Sequence, residues 1–374
     1  MDLRDSPEEA RFRARLRTWL AENVPDEPEP TRLADRWPLT LDFQRRLYQG
    51  GWVALTYPVE VGGQGLGVME EAILSEELGR ANAPTVLPLS HLARPLYTLG
   101  TEEQKRRYLP ALLAATEIWC QGFSEPMAGS DLASLRTRAV REGDEWVLSG
   151  HKIWTSYGVF SDYCLLLART DPGEKAHRGI SAFIVPLDSP GVTVRAIVLA
   201  NGDEEFAEVY LDDVRVPHDN LLGRPGDGWQ VAMEVINHER GAVDTGYLPK
   251  FDRYLTELAA AVKEQQTPVD RATLRALGEA AASLEVLRMH CLRTLSDRAS
   301  GVLSGPESSV DKLLMTAVEQ KLTQVSMALL TDTTGAHRAR WFDRYLYGRA
   351  ASIYGGSSQI QRNILAQRRL GLPR

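Results

Sequence analysis

Two stretches decide how the chain is read: Gln121-Gly122-Phe123-Ser124-Glu125-Pro126-Met127-Ala128-Gly129-Ser130-Asp131 and, further on, Gly150-His151-Lys152-Ile153-Trp154-Thr155-Ser156. The first packs hydroxyls and small residues into one loop, at the point where the hydrophobic period changes from helical to two. Such a loop offers backbone N–H groups and Ser hydroxyls to a flat, polar ligand edge. An ordinary Gly/Ser/Pro connection has the same composition. In the second stretch Trp154 stands beside hydroxyls in a strand-like run. It is either a core aromatic or a stacking surface for an aromatic cofactor.

On the N-terminal side of the changeover, residues 1–116 read as helices. Phe12, Leu16, Trp19 and Leu20 fall at i, i+4, i+7 and i+8 on one face. Ser6-Pro7-Glu8-Glu9 supplies an N-cap, a Pro at N1 and two acids at the positive end of the dipole. Residues 41–47 form a second short helix ended by Gly50-Gly51, and 70–79 a third. Thr101-Glu102-Glu103-Gln104 opens a fourth with capping-box chemistry, running toward Leu112. From 117 to 224 the period is two, with strands over 139–147 (around a polar turn at Glu142-Gly143-Asp144), 163–168, 181–185, 192–197 and 208–211. Short strands at this spacing predict a compact antiparallel barrel or sandwich. From 225 to 374 the helical period returns over 229–243, 251–264, 271–298, 309–330 and 357–370, with Pro249 kinking or ending the first. Three blocks without an internal repeat are α+β segregation, not alternating βαβ.

Composition narrows the function classes. The 374 residues predict two to three domains at roughly 150 residues each. Lys plus Arg is 43 against Asp plus Glu 50, a net of −7, and there is no basic block, so nucleic acid is excluded as a partner. No apolar run approaches the ~18 residues that span a bilayer, so no membrane is expected. Met1 to Ala10 is acid-rich, unlike a secretory or mitochondrial leader, and the expected location is cytoplasmic. Cys120, Cys164 and Cys291 form no CxxC and the histidines form no HExxH; no metal is expected.

Generic nucleotide signatures are missing. Gly62-Gly63-Gln64-Gly65-Leu66-Gly67 lacks the GxGxxG spacing and there is no GxxxxGK[ST], so neither a Rossmann nor a P-loop reading is supported. There is no GxSxG elbow. The two opening stretches instead resemble the flavin-contacting motifs of the acyl-CoA dehydrogenase family, TEPxxGSD and GxKxWIT. The flanks agree: Pro58-Val59-Glu60-Val61-Gly62-Gly63-Gln64-Gly65, Leu99-Gly100-Thr101-Glu102-Glu103-Gln104-Lys105, Val214-Arg215-Val216-Pro217 and Leu221-Leu222-Gly223. Ile353-Tyr354-Gly355-Gly356-Ser357-Ser358-Gln359-Ile360-Gln361-Arg362 resembles the closing motif. The resemblance runs in order from about residue 10 to the C-terminus. It implies a helical N-terminal domain (1–116), a central antiparallel β-barrel (117–224) and a C-terminal four-helix domain (225–374), with FAD as cofactor.

Residue by residue, the resemblance puts Ser124 where the family has the Thr that hydrogen-bonds the isoalloxazine. Trp154 and Ser156 stand at the flavin-contacting Trp and Thr. Gln121, Phe123, Gly129, Ser130 and Thr155 complete the cofactor set, with Ser357 and Gln359 from the closing motif. Ser130, Asn237, Arg240, Tyr354, Gly355 and Gly356 are implied on the acyl-CoA side. Three departures stand out. The closing motif often reads Tyr-Glu-Gly with that Glu as base, and here it is Tyr354-Gly355-Gly356. RxxFGxxLxxxQ, which contacts the adenine end of FAD across a subunit interface, is absent. GGxGY has become Thr334-Gly335-Ala336-His337.

Dehydrogenation of an acyl thioester needs a carboxylate for the α-proton. In the branch of the family that includes isovaleryl-CoA dehydrogenase, the Glu precedes an Arg on the first C-terminal helix. Asn237-His238-Glu239-Arg240 matches that placement. On a helix Glu239 shares its face with Val235, Ile236 and Val243, and an apolar flank raises a carboxyl pKa toward that of a useful base. A surface Glu–Arg pair would show the same residues. The backbone N–H of Gly355 can still polarise the thioester carbonyl. The reading is α,β-dehydrogenation of an acyl-CoA, with electron-transferring flavoprotein as acceptor, in a homodimer, homotetramer or heterotetramer with a paralogue. The rivals are an acyl-CoA oxidase or flavin monooxygenase on the same scaffold, and a paralogous subunit that completes a partner's FAD site. Loss of the side chain at 355 leans the acyl group toward branched, cyclic or bulky.

Overall fold

The computed structural model describes residues 5–26, 30–173, 177–238, 245–264, 268–302, 306–329 and 336–373. The chain divides into two compact units. One gathers residues 32–64 and 85–239, the other 1–31, 65–84 and 240–374.

The first unit is built on a sheet of β1 (Trp119–Gly122), β2 (Arg138–Glu142), β3 (Glu145–Ser156), β4 (Tyr163–Arg169), β5 (Ile180–Pro186), β6 (Val192–Ile197), β7 (Phe206–Pro217) and β8 (Leu221–Leu222). The strand order is β6-β7-β3-β2-β4-β5-β8, with β1 also paired to β4. The sequence predicts an antiparallel sheet, and most pairings are antiparallel. Two are parallel, β1 with β4 and β2 with β4. The exception has a simple cause. The connection over 123–137 carries the chain from β1 to β2 without reversing it, and the β2–β3 hairpin and the turn into β4 then reverse it twice, so β4 runs parallel to both. Cys164 to Ala168 and Ile180 to Val185 are buried throughout, which is why these strands read as continuous apolar runs rather than alternation.

Helices α2 (Leu33–Gln49), α4 (Leu89–Leu99), α5 (Glu102–Leu113) and α6 (Gly228–His238) belong to the same unit. The expected capping box opens α5. Thr101 N–H donates to Gln104 Oε1 (3.0 Å) and Gln104 N–H to Thr101 Oγ1 (3.1 Å). Gln104 Nε2 then reaches the carbonyls of Asp219 (2.7 Å) and Leu221 (2.9 Å), tying the helix start to the end of the sheet. Helix α4 escapes the sequence reading because Pro88 precedes it and Pro95 interrupts its pattern. Helix α6 packs on α4 and β5. The helix expected to open the C-terminal block therefore lies in the sheet's unit.

The second unit holds α1 (Pro7–Asn23), α3 (Val68–Arg80), α7 (Tyr247–Glu264), α8 (Arg271–Ala299), α9 (Glu307–Leu329), α10 (Ala336–Gly348) and α11 (Ser358–Ile364). Ser6 caps α1, with Glu9 returning the bond. Phe251, Leu258, Leu284, Leu287, Val318, Leu322 and Trp341 form the core of the long helices. Pro249 neither kinks nor ends α6. It sits in the first turn of α7, where its missing N–H has no intrahelical partner to lose. Among the described residues no helix is long and apolar enough to cross a membrane, and no group of His, Cys, Asp and Glu could hold a metal ion.

Candidate active site

β1 feeds directly into the Ser124–Asp131 loop. Glu125 and Ala128 close a tight turn on each other, Glu125 N–H to Ala128 O (3.1 Å) and Ala128 N–H to Glu125 O (3.0 Å). The turn lifts Met127 into solvent. The Glu125 carboxylate points the other way. It accepts from the N–H groups of Arg136 (2.7 Å) and Thr137 (2.8 Å) and from Lys152 Nζ (2.8 Å). Lys152 is fully buried and also donates to the Phe123 carbonyl (3.2 Å). Ile153 N–H donates to the Ser124 carbonyl (3.0 Å). The two motifs are therefore held edge to edge by a buried ion pair and a backbone bond. Burial by itself would raise the Glu125 carboxyl, but the Lys152 charge and the N–H donors hold it below the usual carboxylate value. Neither Glu125 nor Lys152 is singled out in the sequence reading. The signal was there, as one acid and one base at the centres of two motifs.

Immediately after Lys152 the pairing of β3 with β7 breaks register, and Trp154 takes φ +60°. A left-handed backbone at a bulky residue costs about 1–3 kcal/mol and persists only where the surroundings impose it. The bulge turns the Trp154 ring outward, 55% exposed, with Phe206 edge-on at 6.1 Å. Trp154 is thus no core aromatic. Thr155 faces inward instead, fully buried, with its Oγ1 lacking any partner. Ser124 and Ser156 are partly buried and Ser130 is exposed. Among the described residues these three hydroxyls and the Gln121 amide make no hydrogen bond. A Cβ at Gly129 would meet open space. An outward indole beside unspent donors suits a flat heteroaromatic ring with a polar edge, so these residues fit an isoalloxazine. A nearby cleft of about 230 Å³, lined by Met127, Arg136 and His151 among others, includes neither Ser124 nor Trp154.

The closing motif lies in the other unit. Gly355 and Gly356 have φ +61° and +88°, successive left-handed residues that favour glycine. Buried Gln361 pins them, donating from Nε2 to both carbonyls (3.0 and 3.1 Å). Ser357 caps α11 by accepting from Ile360 N–H (3.3 Å), which leaves its own O–H to donate. Gln359 is exposed. Lys312 Nζ lies 4.1 Å from the centre of the Tyr354 ring, and a Cβ at 355 would sit 3.7 Å from Lys312 Cε. The space beside Gly355 is therefore bordered by a lysine stem rather than open on every side.

On α6, Asn237 is exposed and Val235 buried. Glu239 and Arg240 lie outside the described residues, as do Val243, Thr334 and Gly335. The last described turn of α6 meets α4 through polar groups. Arg94 Nε is 3.8 Å from Glu234, its guanidinium lies over the rings of Tyr57 and Tyr97, and His91 neighbours His238. His91 Nδ1 is shielded from solvent and has no hydrogen-bond partner. Burial, and then the neighbouring His238, hold its pKa down at about 4.

The sequence matches three family profiles in order: acyl-CoA dehydrogenase N-terminal domain over residues 6–116, middle domain over 120–214 and C-terminal domain over 226–370. The chain belongs to the acyl-CoA dehydrogenase family. It is 38% identical to "Acyl-CoA dehydrogenase IpdE1" of Mycobacterium tuberculosis over 97% of each chain. Among solved structures it resembles the "Tcur3481-Tcur3483 steroid ACAD" (TM-score 0.87, 29% identity, all of both chains). It also resembles the ChsE4-ChsE5 complex of Mycobacterium tuberculosis (TM-score 0.85, 29% identity, all of both chains). As a member of this family the protein is an FAD-dependent oxidoreductase acting on acyl-CoA in lipid metabolism.

Two outcomes are expected from this geometry. Lys152→Met strands a buried carboxylate and should cost about 3–5 kcal/mol in urea unfolding, while Lys152→Met with Glu125→Gln should recover much of it. A single-variant cost near zero would remove the pair from any structural role. His91 gives a pH signature. The unfolded chain takes up this proton near pH 6.5 and the folded chain only near 4, so stability falls as pH drops through that window, by up to about 3 kcal/mol. His91→Phe should flatten the unfolding free energy between pH 6.5 and 4; an unaltered slope would contradict the buried, neutral imidazole.

Proposed function

We propose that the protein carries out α,β-dehydrogenation of an acyl-CoA with Glu239 as the base. The observation that carries the flavin side is the Trp154 ring, turned outward by a left-handed bulge beside the unspent hydroxyls of Ser124 and Ser156. Bound FAD supplies the acceptor for the substrate's β-hydride. Trp154 stacks on the ring, and Ser124, Ser156 and Gln121 donate to its polar edge. Gly129 lets the loop backbone approach, with Phe123 and Thr155 buried as supports. Ser357 and Gln359 are further flavin contacts by motif position.

On the substrate side Ser130, Asn237 and Arg240 hold the CoA thioester. The Gly355 N–H, in a turn shared with Tyr354 and Gly356, polarises its carbonyl. Glu239 takes the α-proton. The left-handed glycine at 355 supports this assignment, because that conformation is unfavourable for a glutamate. Cytoplasmic placement and electron-transferring flavoprotein as acceptor complete the reading. Relatives described as steroid enzymes support the lean toward a bulky, cyclic acyl group.

A mixed assembly is the second reading. The ChsE4-ChsE5 neighbour pairs two different chains, and this sequence lacks RxxFG. Co-expression with a paralogue, against expression alone, separates homo- from hetero-oligomer by flavin content per chain.

Trp154→Ala should lower flavin retention on gel filtration through loss of a large apolar contact; undiminished FAD in that variant would leave the ring without a cofactor role. Glu239→Gln should still hold FAD, yet slow anaerobic flavin bleaching by acyl-CoA at least ~10²-fold, the low end for removing a positioned base. Unchanged bleaching would move the base to another residue. Oxygen uptake by the reduced protein comparable to turnover would favour the oxidase reading.

A further inference from the structure

The cleft of about 230 Å³ beside the Ser124–Asp131 loop is bordered by Pro126 and Met127 from the loop tip, by Arg136 before β2 and by His151 in β3. It opens to solvent, and Met127 and Arg136 are both exposed. Tyr210 of β7 stacks on one face of the His151 ring, with centroids 4.2 Å and planes 13° apart. His151 Nε2 lies 3.0 Å from Glu208 Oε1, and the Arg195 guanidinium lies over the Tyr210 ring at 5.3 Å. The imidazole is thereby held at two points, and its remaining exposed surface borders the cleft. A ring fixed in advance loses little freedom when a ligand stacks on it.

The charges around the cleft favour an anion. Glu125 is its one acidic lining residue, and both carboxylate oxygens are engaged by Lys152 Nζ and by the N–H groups of Arg136 and Thr137. The Arg136 guanidinium makes no ion pair and no hydrogen bond among the described residues. An unpaired cation beside a cleft, in a chain of net charge −7, draws an anion locally, and the guanidinium fork matches a phosphate. An aromatic face, a polarisable thioether and an unpaired guanidinium together suit a flat heteroaromatic ring that carries phosphate.

We infer that this cleft binds a phosphorylated adenosine, with its purine on His151 under Met127 and its phosphate on Arg136. The inference rests on the dehydrogenase reading above, because acyl-CoA and FAD both end in that group. Position agrees with it. Met127 stands three residues before Ser130 and His151 three residues before Trp154, so the cleft adjoins the segments assigned to both ligands.

The test uses the purified flavoprotein in two arms. One compares CoA with pantetheine, which lacks the adenosine phosphate, by isothermal titration. The other follows FAD retention on gel filtration. If the adenosine belongs to CoA, the parent binds CoA at least ~10-fold more tightly than pantetheine, about the worth of one charge-assisted contact. Arg136→Gln and His151→Ala each bring that ratio close to one and leave FAD retention unaltered. If it belongs to FAD, the same variants shed flavin and the ratio of the two affinities stands. Arg136→Lys, which keeps the charge, recovers part of either effect. No change in either arm overturns the inference. So does a loss in both arms that Arg136→Lys leaves unrepaired, since that reports a folding defect. Either result leaves the dehydrogenase reading intact, whereas a parent that holds neither FAD nor CoA overturns both.

Discussion

A lysine and a glutamate taken out of water fix the surface on which the two motifs meet. Moving either ion into the interior alone would cost several kcal/mol. Here Lys152 and Glu125 compensate each other, and two backbone N–H groups and the Phe123 carbonyl saturate what remains. The arrangement works as a registry device. Its carboxylate fastens the loop after β1 to the start of β2, and its ammonium fastens both to the middle of β3. Once residue 152 is held, the chain must accommodate Trp154 only two residues on, and it does so by leaving the β region. The outward indole is thus downstream of a buried charge pair.

The amphipathic helices and most strands were legible, because their signals are local. The Ser6 and Thr101 capping boxes, the run after Asp270 and the hairpin at Gly143 form as their residue types dictate. What escaped was set by tertiary context. Helix α4 carries two prolines' worth of stop signals, and only its packing on α6 overrides them. Pro249, read as a breaker, is a starter, because the same missing N–H serves at either end of a helix gap. The parallel pairings of β4 could not be seen in any single strand.

The candidate site shows the same division. Residue types identified the two motifs, but not which way Trp154 points. That was settled by one dihedral angle. The roles of Glu125 and Lys152 were visible only once their partners were, since an acid in a loop and a base in a strand read as surface residues until they are buried. His91 and Arg94 lie in the segment where the helix itself was overlooked, so no pattern drew attention to them. At the closing motif the sequence reported a missing carboxylate, whereas the structure adds a conformational reason for glycine and a lysine stem beside it.

The parallel pairing of β1 with β4 also governs how the molecule is assembled. Trp119 to Gly122 find their partners at Tyr163 to Leu166, beyond the whole β2–β3 hairpin. Closing so long a segment carries an entropic cost before the pairing returns anything, and parallel ladders form slowly for that reason. During synthesis the loop at 123–131 therefore leaves the ribosome before the strand that braces its stem, and β1 has no ladder partner in β4 until residues 163–166 have followed it.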